Sequence, residues 1–139
     1  MIKDLVFDIG ANNGDDTGYY LRRGFRVVAV EAVPEYAREV QDRFRTYVET
    51  GTLTVLPVAV GEQDGSTEFF VSEGNRGVWS SFDAEGARKN GLKATRITVP
   101  TRSIRSLFAE YGVPYYLKVD IEGFDHLCLS GIDPDDQPQ

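Results

Sequence analysis

The chain has 139 residues, of which 41% are hydrophobic, enough to bury the core of one compact domain but not of two. Its 15 basic and 22 acidic residues give a formal charge of -7, which would repel nucleic-acid phosphates and anionic membrane surfaces. We therefore expect one domain over residues 1–139 that binds neither nucleic acid nor membrane.

The cysteine and histidine content limits the kinds of covalent link and metal site that the chain can form. Cys128 and His126 are each the single residue of their type, so we expect neither an internal disulfide nor a four-ligand metal site. The sequence begins directly with a strand pattern instead of a charged and then apolar leader, and it has no apolar run long enough to cross a bilayer. A cytoplasmic protein is the expectation.

The first elements follow a strand, turn, helix order. Residues 5–9 are apolar on both faces, as in a buried parallel strand, and the glycine-rich residues 10–14 end this strand. Residues 15–17, Asp-Asp-Thr, offer N-capping oxygens and negative charge to a helix that stops near Gly24.

The same order then repeats. A second strand covers residues 26–31, and Pro34 opens a helix that Gly51 ends. Residues 53–60 form a third strand, in which Pro57 predicts an edge position or a bulge because proline lacks a backbone donor. Right-handed crossovers make this a parallel sheet with helices on both faces and a ligand crevice at the carboxyl ends of the strands.

The second half interrupts this strand–helix alternation and then resumes it. Glycine-separated segments predict a β-rich insertion over about residues 62–101. Ser103 caps a helix that Gly112 closes, a fourth parallel strand covers residues 115–121, and a short helix covers residues 124–130.

The turn after the first strand predicts the kind of ligand. Gly10 suits a tight turn, Gly14 permits close backbone approach, and Asp8 places a carboxylate where an amino-acid ammonium would be held. A dinucleotide is disfavoured, because Asn12 replaces the second glycine of the G-x-G-x-x-G pattern and the aspartates after Gly14 would repel a pyrophosphate. The turn therefore favours S-adenosylmethionine (SAM).

A second carboxylate supports this interpretation. Glu31 ends the second strand, where such folds place an acid that accepts hydrogen bonds from both ribose hydroxyls. Each residue also has a structural interpretation, in which Asp8 caps the following turn and Glu31 is a solvated carboxylate at a strand end. Together they describe one nucleoside with a cationic tail.

Catalytic candidates lie at the end of the fourth strand. Lys118, Asp120 and Glu122 alternate, so they share one side at or near its carboxyl end. Asp120 or Glu122 would act as the base for an alcohol acceptor or hold a divalent cation, and we prefer the base. Lys118 is either a counter-charge to these acids or a catalytic group. His126, Cys128 and Trp79 are interpreted as packing or surface residues.

Five short motifs run along nearly the whole chain. They are V-F-D-I-G-A-N-N-G at 6–14, E-A at 31–32, A-V-G at 59–61, S-S at 80–81 and K-V-D-I-E-G at 118–123. Through these motifs the sequence resembles the FkbM-type methyltransferase family. The glycine turn is shared by many SAM enzymes, and its combination with the fourth-strand motif is more specific.

The resemblance implies a Rossmann-like class I methyltransferase with a mostly parallel sheet. It also implies SAM-dependent methyl transfer to a small-molecule hydroxyl on a sugar or natural product. By similarity, Gly10, Asn12 and Gly14 would line the methionine end, Glu31 the ribose, and residues 59–60 the adenine. The full set of predicted cofactor residues is Asp8, Gly10, Ala11, Asn12, Asn13, Gly14, Thr17, Glu31, Ala32, Ala59 and Val60.

The resemblance weakens at the end of the sequence. Family members continue with strands that complete a seven-stranded sheet, whereas residues 133–139 are almost entirely polar, so the chain looks as if it lacks the last strands. We then expect Leu117, Val119 and Ile121 on an open apolar edge that pairs with a second copy. The alternatives are a non-catalytic SAM-binding or oligomerisation module and an NAD-dependent oxidoreductase.

Overall fold

Thirteen helices and strands appear in the computed structural model, which describes residues 1–73, 81–88, 93–122 and 124–139. In chain order they are β1 (Ile2–Ile9), α1 (Asp15–Arg22), β2 (Arg26–Val30), α2 (Pro34–Arg43), α3 (Arg45–Glu49), β3 (Leu53–Leu56), β4 (Ala59–Gly61), β5 (Gly65–Ser72), α4 (Ala84–Ala87), β6 (Ala94–Ser103), α5 (Ile104–Tyr111), β7 (Pro114–Val119) and α6 (Asp125–Leu129).

Four parallel strands form the central sheet in the order β3-β2-β1-β7. β1 lies inside the sheet, where Phe7 is aligned with Val28 on one side and with Leu117 on the other. The prediction of an α/β fold with a mostly parallel sheet is confirmed. Since the strands are parallel, the carboxyl ends of β1, β2 and β7 lie at the same edge of the sheet.

Side-chain alternation along the strands divides the core into two layers. Phe7 and Ile9 of β1 pack on one face with Leu107 of α5. Ala29 of β2 packs on the opposite face with Val40 of α2. The sheet is therefore covered by helices on both faces, as the apolar strand pattern predicted.

The third strand differs from its prediction. β3 ends at Leu56 as the edge strand of the central sheet, and β4 begins at Ala59 in a second sheet. The expected single strand over residues 53–60 is therefore wrong, although the edge position expected from Pro57 is confirmed. Pro57 has no N–H to continue a ladder, and the chain changes sheets at this residue.

The insertion is β-rich, as expected, and forms the second sheet. β5 and β6 are antiparallel, with Phe69 aligned with Ile97, while β4 is parallel to β6. This sheet packs against the start of α2 through a cluster that contains Val33, Phe69 and Val99. The insertion residues Gly74, Gly77, Trp79 and Gly91 lie outside the described residues.

The predicted helix over residues 34–51 is two helices. Phe44 separates α2 from α3 with φ -117° and ψ 32°, outside the helical region. Its ring remains partly buried against the core that contains Val40. Period-four spacing alone did not show this break.

The capping predictions had mixed outcomes. Ser103 caps α5 by accepting a hydrogen bond from the Ser106 N–H at 3.1 Å, as expected. α1 instead begins after Gly14, a residue in the left-handed conformation, and its first N–H, that of Asp15, donates to Asn13 Oδ1 at 3.1 Å. The prediction that residues 15–17 supply the cap is wrong, because these residues already lie within the helix. None of the described helices is long and apolar enough to cross a bilayer.

The edge of β7 is less open than the sequence suggested. β7 is an edge strand of the central sheet, as expected, but the side chains of Leu117, Val119 and Ile121 are half-buried against the core around β1 and are less exposed than expected. The Gln139 backbone also bonds to this edge, accepting from the Leu117 N–H at 3.0 Å and donating to the Tyr115 carbonyl at 2.8 Å. Pairing with a second copy stays a prediction.

Candidate functional site

The turn after β1 crosses the carboxyl edge of the sheet. Gly10, Asn12 and Gly14 have φ values of 81°, 48° and 80°, all in the left-handed region that favours glycine. The Gly10 and Ala11 N–H groups both donate to the Val30 carbonyl, at 2.9 and 3.0 Å. These bonds hold the turn over the end of β2.

The two glycines are required by contacts within the protein. A Cβ atom on Gly10 would collide with the Asp120 carbonyl oxygen, so the missing side chain lets the turn approach the end of β7. A Cβ atom on Gly14 would lie 2.9 Å from the Phe44 ring and 3.2 Å from a Val40 methyl. The close approach predicted for Gly14 is therefore to the residues that end α2.

Asp8 faces the interior beneath the turn. Its side chain is fully buried, and Asp8 is the aligned neighbour of Lys118 on β7. The Lys118 ammonium lies 3.1 Å from Asp8 Oδ1, and the Thr17 hydroxyl donates to Asp8 Oδ2 at 2.6 Å. The carboxylate predicted to receive a ligand ammonium thus already holds the ammonium of Lys118.

Lys118 connects several parts of the site. Its ammonium also donates to the Gly10 carbonyl at 3.0 Å and lies 3.4 Å from Asp16 Oδ2 at the start of α1. Burial alone would lower the pKa of Lys118, but the attraction and hydrogen bond of Asp8 and the charges of Asp16 and Asp120 raise that pKa above its ordinary value. Lys118 is therefore a protonated counter-charge near neutral pH.

Glu31 lies just after β2 with 7% of its surface exposed. Its Oε2 accepts from the Asn12 N–H at 2.8 Å, and its Oε1 accepts from the Val33 N–H at 2.9 Å. Burial raises the pKa of Glu31 above its ordinary value, although these two backbone donors act in the opposite direction. The hydrogen bonds fix the carboxylate and tie the turn to the β2–α2 connection.

A cavity of about 360 Å³ lies over these strand ends, within the range of small-molecule sites. Asp8, Gly14 and Thr17 lie behind its wall and do not line it. The other predicted site residues do line it, and they are Gly10, Ala11, Asn12, Asn13, Glu31, Ala32, Ala59, Val60, Lys118, Asp120 and Glu122.

The β-rich insertion supplies an aromatic wall that the sequence did not reveal. Phe69 and Phe82 line the cavity, with ring centroids 5.4 Å apart in an edge-to-face arrangement. Phe82 also contacts the ring of Phe124, which follows β7, at 5.3 Å. Alternation along β5 indicated a strand but gave no sign of which core its aromatic face would join.

The cavity lining is acidic. Asp15, Asp16, Asp120 and Glu122 line it in addition to Glu31, and Lys118 is the cationic side chain among the described lining residues. Arg43 offsets part of this charge from outside the cavity by an ion pair with Asp15 at 2.8 Å. Such a lining favours a neutral or cationic ligand and disfavours a diphosphate.

Cys128 and Ser81, which the sequence analysis also named, have packing or pairing roles in the fold. Cys128 is fully buried in the core near β1, and burial raises the pKa of its thiol to about 12, as expected of an inert packing residue. Ser81 bridges to Phe70 of β5. Ser80 and Gly123, which belong to two of the quoted motifs, lie outside the described residues. Within the described ranges, no group of three or more His, Cys, Asp or Glu residues is arranged to hold a metal ion.

The described residues form an α/β fold with a mostly parallel sheet, a glycine turn after its first strand and a buried acid after the second, which is consistent with a methyltransferase-like fold. The chain belongs to the FkbM methyltransferase family, because the family model described as "Methyltransferase FkbM domain" matches residues 8–138. No curated protein and no solved structure gives a significant match. The resemblance seen in the sequence is thereby confirmed, and the chain carries a methyltransferase domain.

Replacement of Gly10 by alanine tests the contact between the turn and β7. Gly10→Ala adds both left-handed strain and the collision with Asp120, so we expect a loss of at least about 3 kcal/mol in unfolding free energy. Gly24→Ala is the matched control, since Gly24 has φ 86° with open space around its Cβ position. It should lose only about 1–2 kcal/mol. Equal losses in urea unfolding would show that the contact is unimportant.

The raised pKa of Glu31 predicts a pH dependence of stability. Between its unfolded and folded pKa values the native state binds more protons, so wild-type stability falls as pH rises above 4.5 relative to Glu31→Gln. The relative loss is about 1.4 kcal/mol for each pH unit between those two values. The measurement is the unfolding free energy of both proteins from pH 4 to pH 8.

Glu110→Gln is the control for this pH series. Hydrogen bonds from Tyr111 and Arg102 lower the pKa of the exposed Glu110, so wild-type stability should change in the opposite direction, rising slightly with pH relative to this variant. A Glu31→Gln series parallel to that of the wild type would contradict the burial of an ionisable Glu31.

Proposed function

We propose that this chain binds SAM in the cavity over β1, β2 and β7 and transfers its methyl group to a hydroxyl oxygen of a small molecule. The carrying observation is the buried Glu31 carboxylate, held by two backbone donors in the lining of an acidic cavity. On this proposal the sheet order β3-β2-β1-β7 is the first half of a Rossmann-like methyltransferase sheet.

Glu31 fits a ribose diol. A carboxylate has roughly four acceptor positions, and the Asn12 and Val33 N–H groups use one on each oxygen. Each oxygen therefore retains an acceptor position for a sugar hydroxyl. Because both backbone bonds are already formed, the carboxylate needs no rearrangement to receive the two hydroxyls.

The apolar part of the lining fits a purine ring. Ala59 and Val60 of β4 line one side of the cavity, and Phe69 of the insertion adds an aromatic surface. Flat aromatic ligands pack well against such side chains. The wall contributed by the second sheet would thus hold the adenine.

The charge of the lining fits the donor end of SAM. SAM supplies a methyl group on a positively charged sulfur, with an ammonium and a carboxylate on its amino-acid tail. Asp16 and Asp120 in the lining complement the positive charges, whereas they would repel the diphosphate of a dinucleotide.

Little acid–base chemistry is required of the chain itself. Its main tasks are to align two reactants and exclude water, which the half-enclosed apolar wall promotes. Asp120 and Glu122 lie at the cavity near the end of β7, where either would accept the proton of an alcohol. Glu122 has φ 51°, so the chain turns sharply at this position. We favour Glu122 as the base.

Calorimetric titration of the chain tests the cofactor. SAM and its demethylated product should bind, and NADH should not, because the lining repels a diphosphate. Glu31→Gln should weaken SAM binding about tenfold or more, since a charged acceptor is lost from the ribose site. Asp4→Asn, which changes an exposed carboxylate at the far end of β1, should leave affinity unchanged. NADH binding that equals or exceeds SAM binding would contradict the proposal.

The base is tested with a hydroxyl acceptor that the wild-type chain methylates. Glu122→Gln should leave SAM affinity nearly intact and lower turnover about 100-fold, the usual contribution of a general base. Glu110→Gln makes the same chemical change on α5, away from the cavity lining, and should have no effect. Unchanged turnover in Glu122→Gln would remove Glu122 from the mechanism, and an absence of turnover with bound SAM would indicate a non-catalytic SAM-binding module.

A further inference from the structure

We propose that Lys118 is a positioning residue that holds the Gly10 carbonyl, and with it the glycine turn, in the geometry of the ligand site. Lys118 extends from β7, so it reaches the turn from a strand that is remote in sequence. The ligand-binding consequence rests on the proposed function, whereas the ordering of the turn is a property of the free protein.

The contacts of Lys118 match the chemistry of an ammonium group. Three oxygen atoms surround Nζ: Asp8 Oδ1 at 3.1 Å, the Gly10 carbonyl at 3.0 Å and Asp16 Oδ2 at 3.4 Å. Nζ donates a hydrogen bond to the Gly10 carbonyl, and the two aspartate oxygens complete its surroundings as ion-pair contacts. The three oxygen atoms belong to β1, the turn and α1, so one side chain joins every part of the strand–turn–helix unit.

Proton transfer is a poor alternative role for Lys118. Although burial acts to lower the pKa of Lys118, its acidic neighbours raise that pKa above the ordinary value. The group therefore remains an ammonium at neutral pH and has no lone pair with which to accept a proton from an alcohol. Its contribution must come from charge and from hydrogen-bond geometry.

The rest of the turn depends on the peptide that Lys118 holds. Gly10 has φ 81° and packs against the Asp120 carbonyl, so its orientation is closely constrained. Two residues later, the Asn12 N–H donates to Glu31, and the Asn13 carbonyl accepts from Arg43 at 2.8 Å. A change in the orientation of the Gly10 carbonyl would move the turn relative to Glu31. The Arg43 contact would still hold the turn at Asn13.

The experiment separates this role from charge compensation of Asp8. Lys118→Met alone would leave Asp8 buried and unpaired, which is strongly destabilising. The informative protein is therefore Asp8→Asn/Lys118→Met, compared with Asp8→Asn, which removes the charge of Asp8 but keeps Lys118 on Gly10. Arg26→Met is the control, since it removes an aspartate-paired cation from the exposed part of the same sheet.

Amide hydrogen exchange of the free proteins is the first readout. The amides of Gly10, Ala11, Asn12 and Gly14 all donate to protein acceptors, so their exchange rates report opening of the turn. We expect at least tenfold faster exchange of these amides in the double variant, and rates near wild type in Asp8→Asn and Arg26→Met. The β2 amides provide the internal reference for global stability.

SAM affinity measured by calorimetry is the second readout. The double variant should bind SAM at least tenfold more weakly than Asp8→Asn. Wild-type exchange rates in the double variant overturn the proposal, and so does Asp8→Asn if it opens the turn as much as the double variant does. A turn that opens as expected, in a protein whose wild-type form does not bind SAM, would confirm the role of Lys118 and refute the proposed cofactor.

Discussion

A carboxylate in the middle of a sheet is costly to bury unless a charge and a hydrogen bond compensate it. Asp8 meets both conditions, because Lys118 supplies the charge and Thr17 the hydroxyl. The pair forms only if β1 and β7 are adjacent and in register, so the requirement acts on the topology of the sheet as well as on the site. It thereby links the burial of the central strand to the position of the glycine turn.

The turn that lines the cavity is held in shape by contacts on its other side. Gly10 lies against the end of β7 and Gly14 against Phe44, so each glycine makes room for protein atoms. Glu31 bonds to Asn12 and Val33 and fixes the distance between the turn and the β2–α2 connection. The shape of the cavity is therefore an outcome of packing within the protein.

Sequence periodicity and parallel topology sufficed to bring Gly10, Glu31 and Asp120 to one edge of a sheet, because strand ends are readable from local patterns. The partners of Asp8 were not readable in this way. Its pairing with Lys118 depends on register across 110 positions of chain, and Thr17 was taken for a capping residue when its hydroxyl points inward. Phe82 was not predicted to line the cavity either, because its position in the wall depends on how the insertion packs against the rest of the chain.

Because the chain passes from the central sheet to the second sheet at Pro57, both sheets contribute residues to the cavity. Its acidic residues lie at the start of α1 or just after β2 and β7, next to a sheet in which a buried ion pair constrains the register of β1 and β7. Part of its apolar wall belongs instead to the β5–β6 hairpin, which has its own ladder of hydrogen bonds. Substitutions in the hairpin can therefore reshape the apolar wall without disturbing the segments that carry the acidic groups. The apolar side and the acidic side of one cavity thereby depend on separate sheets.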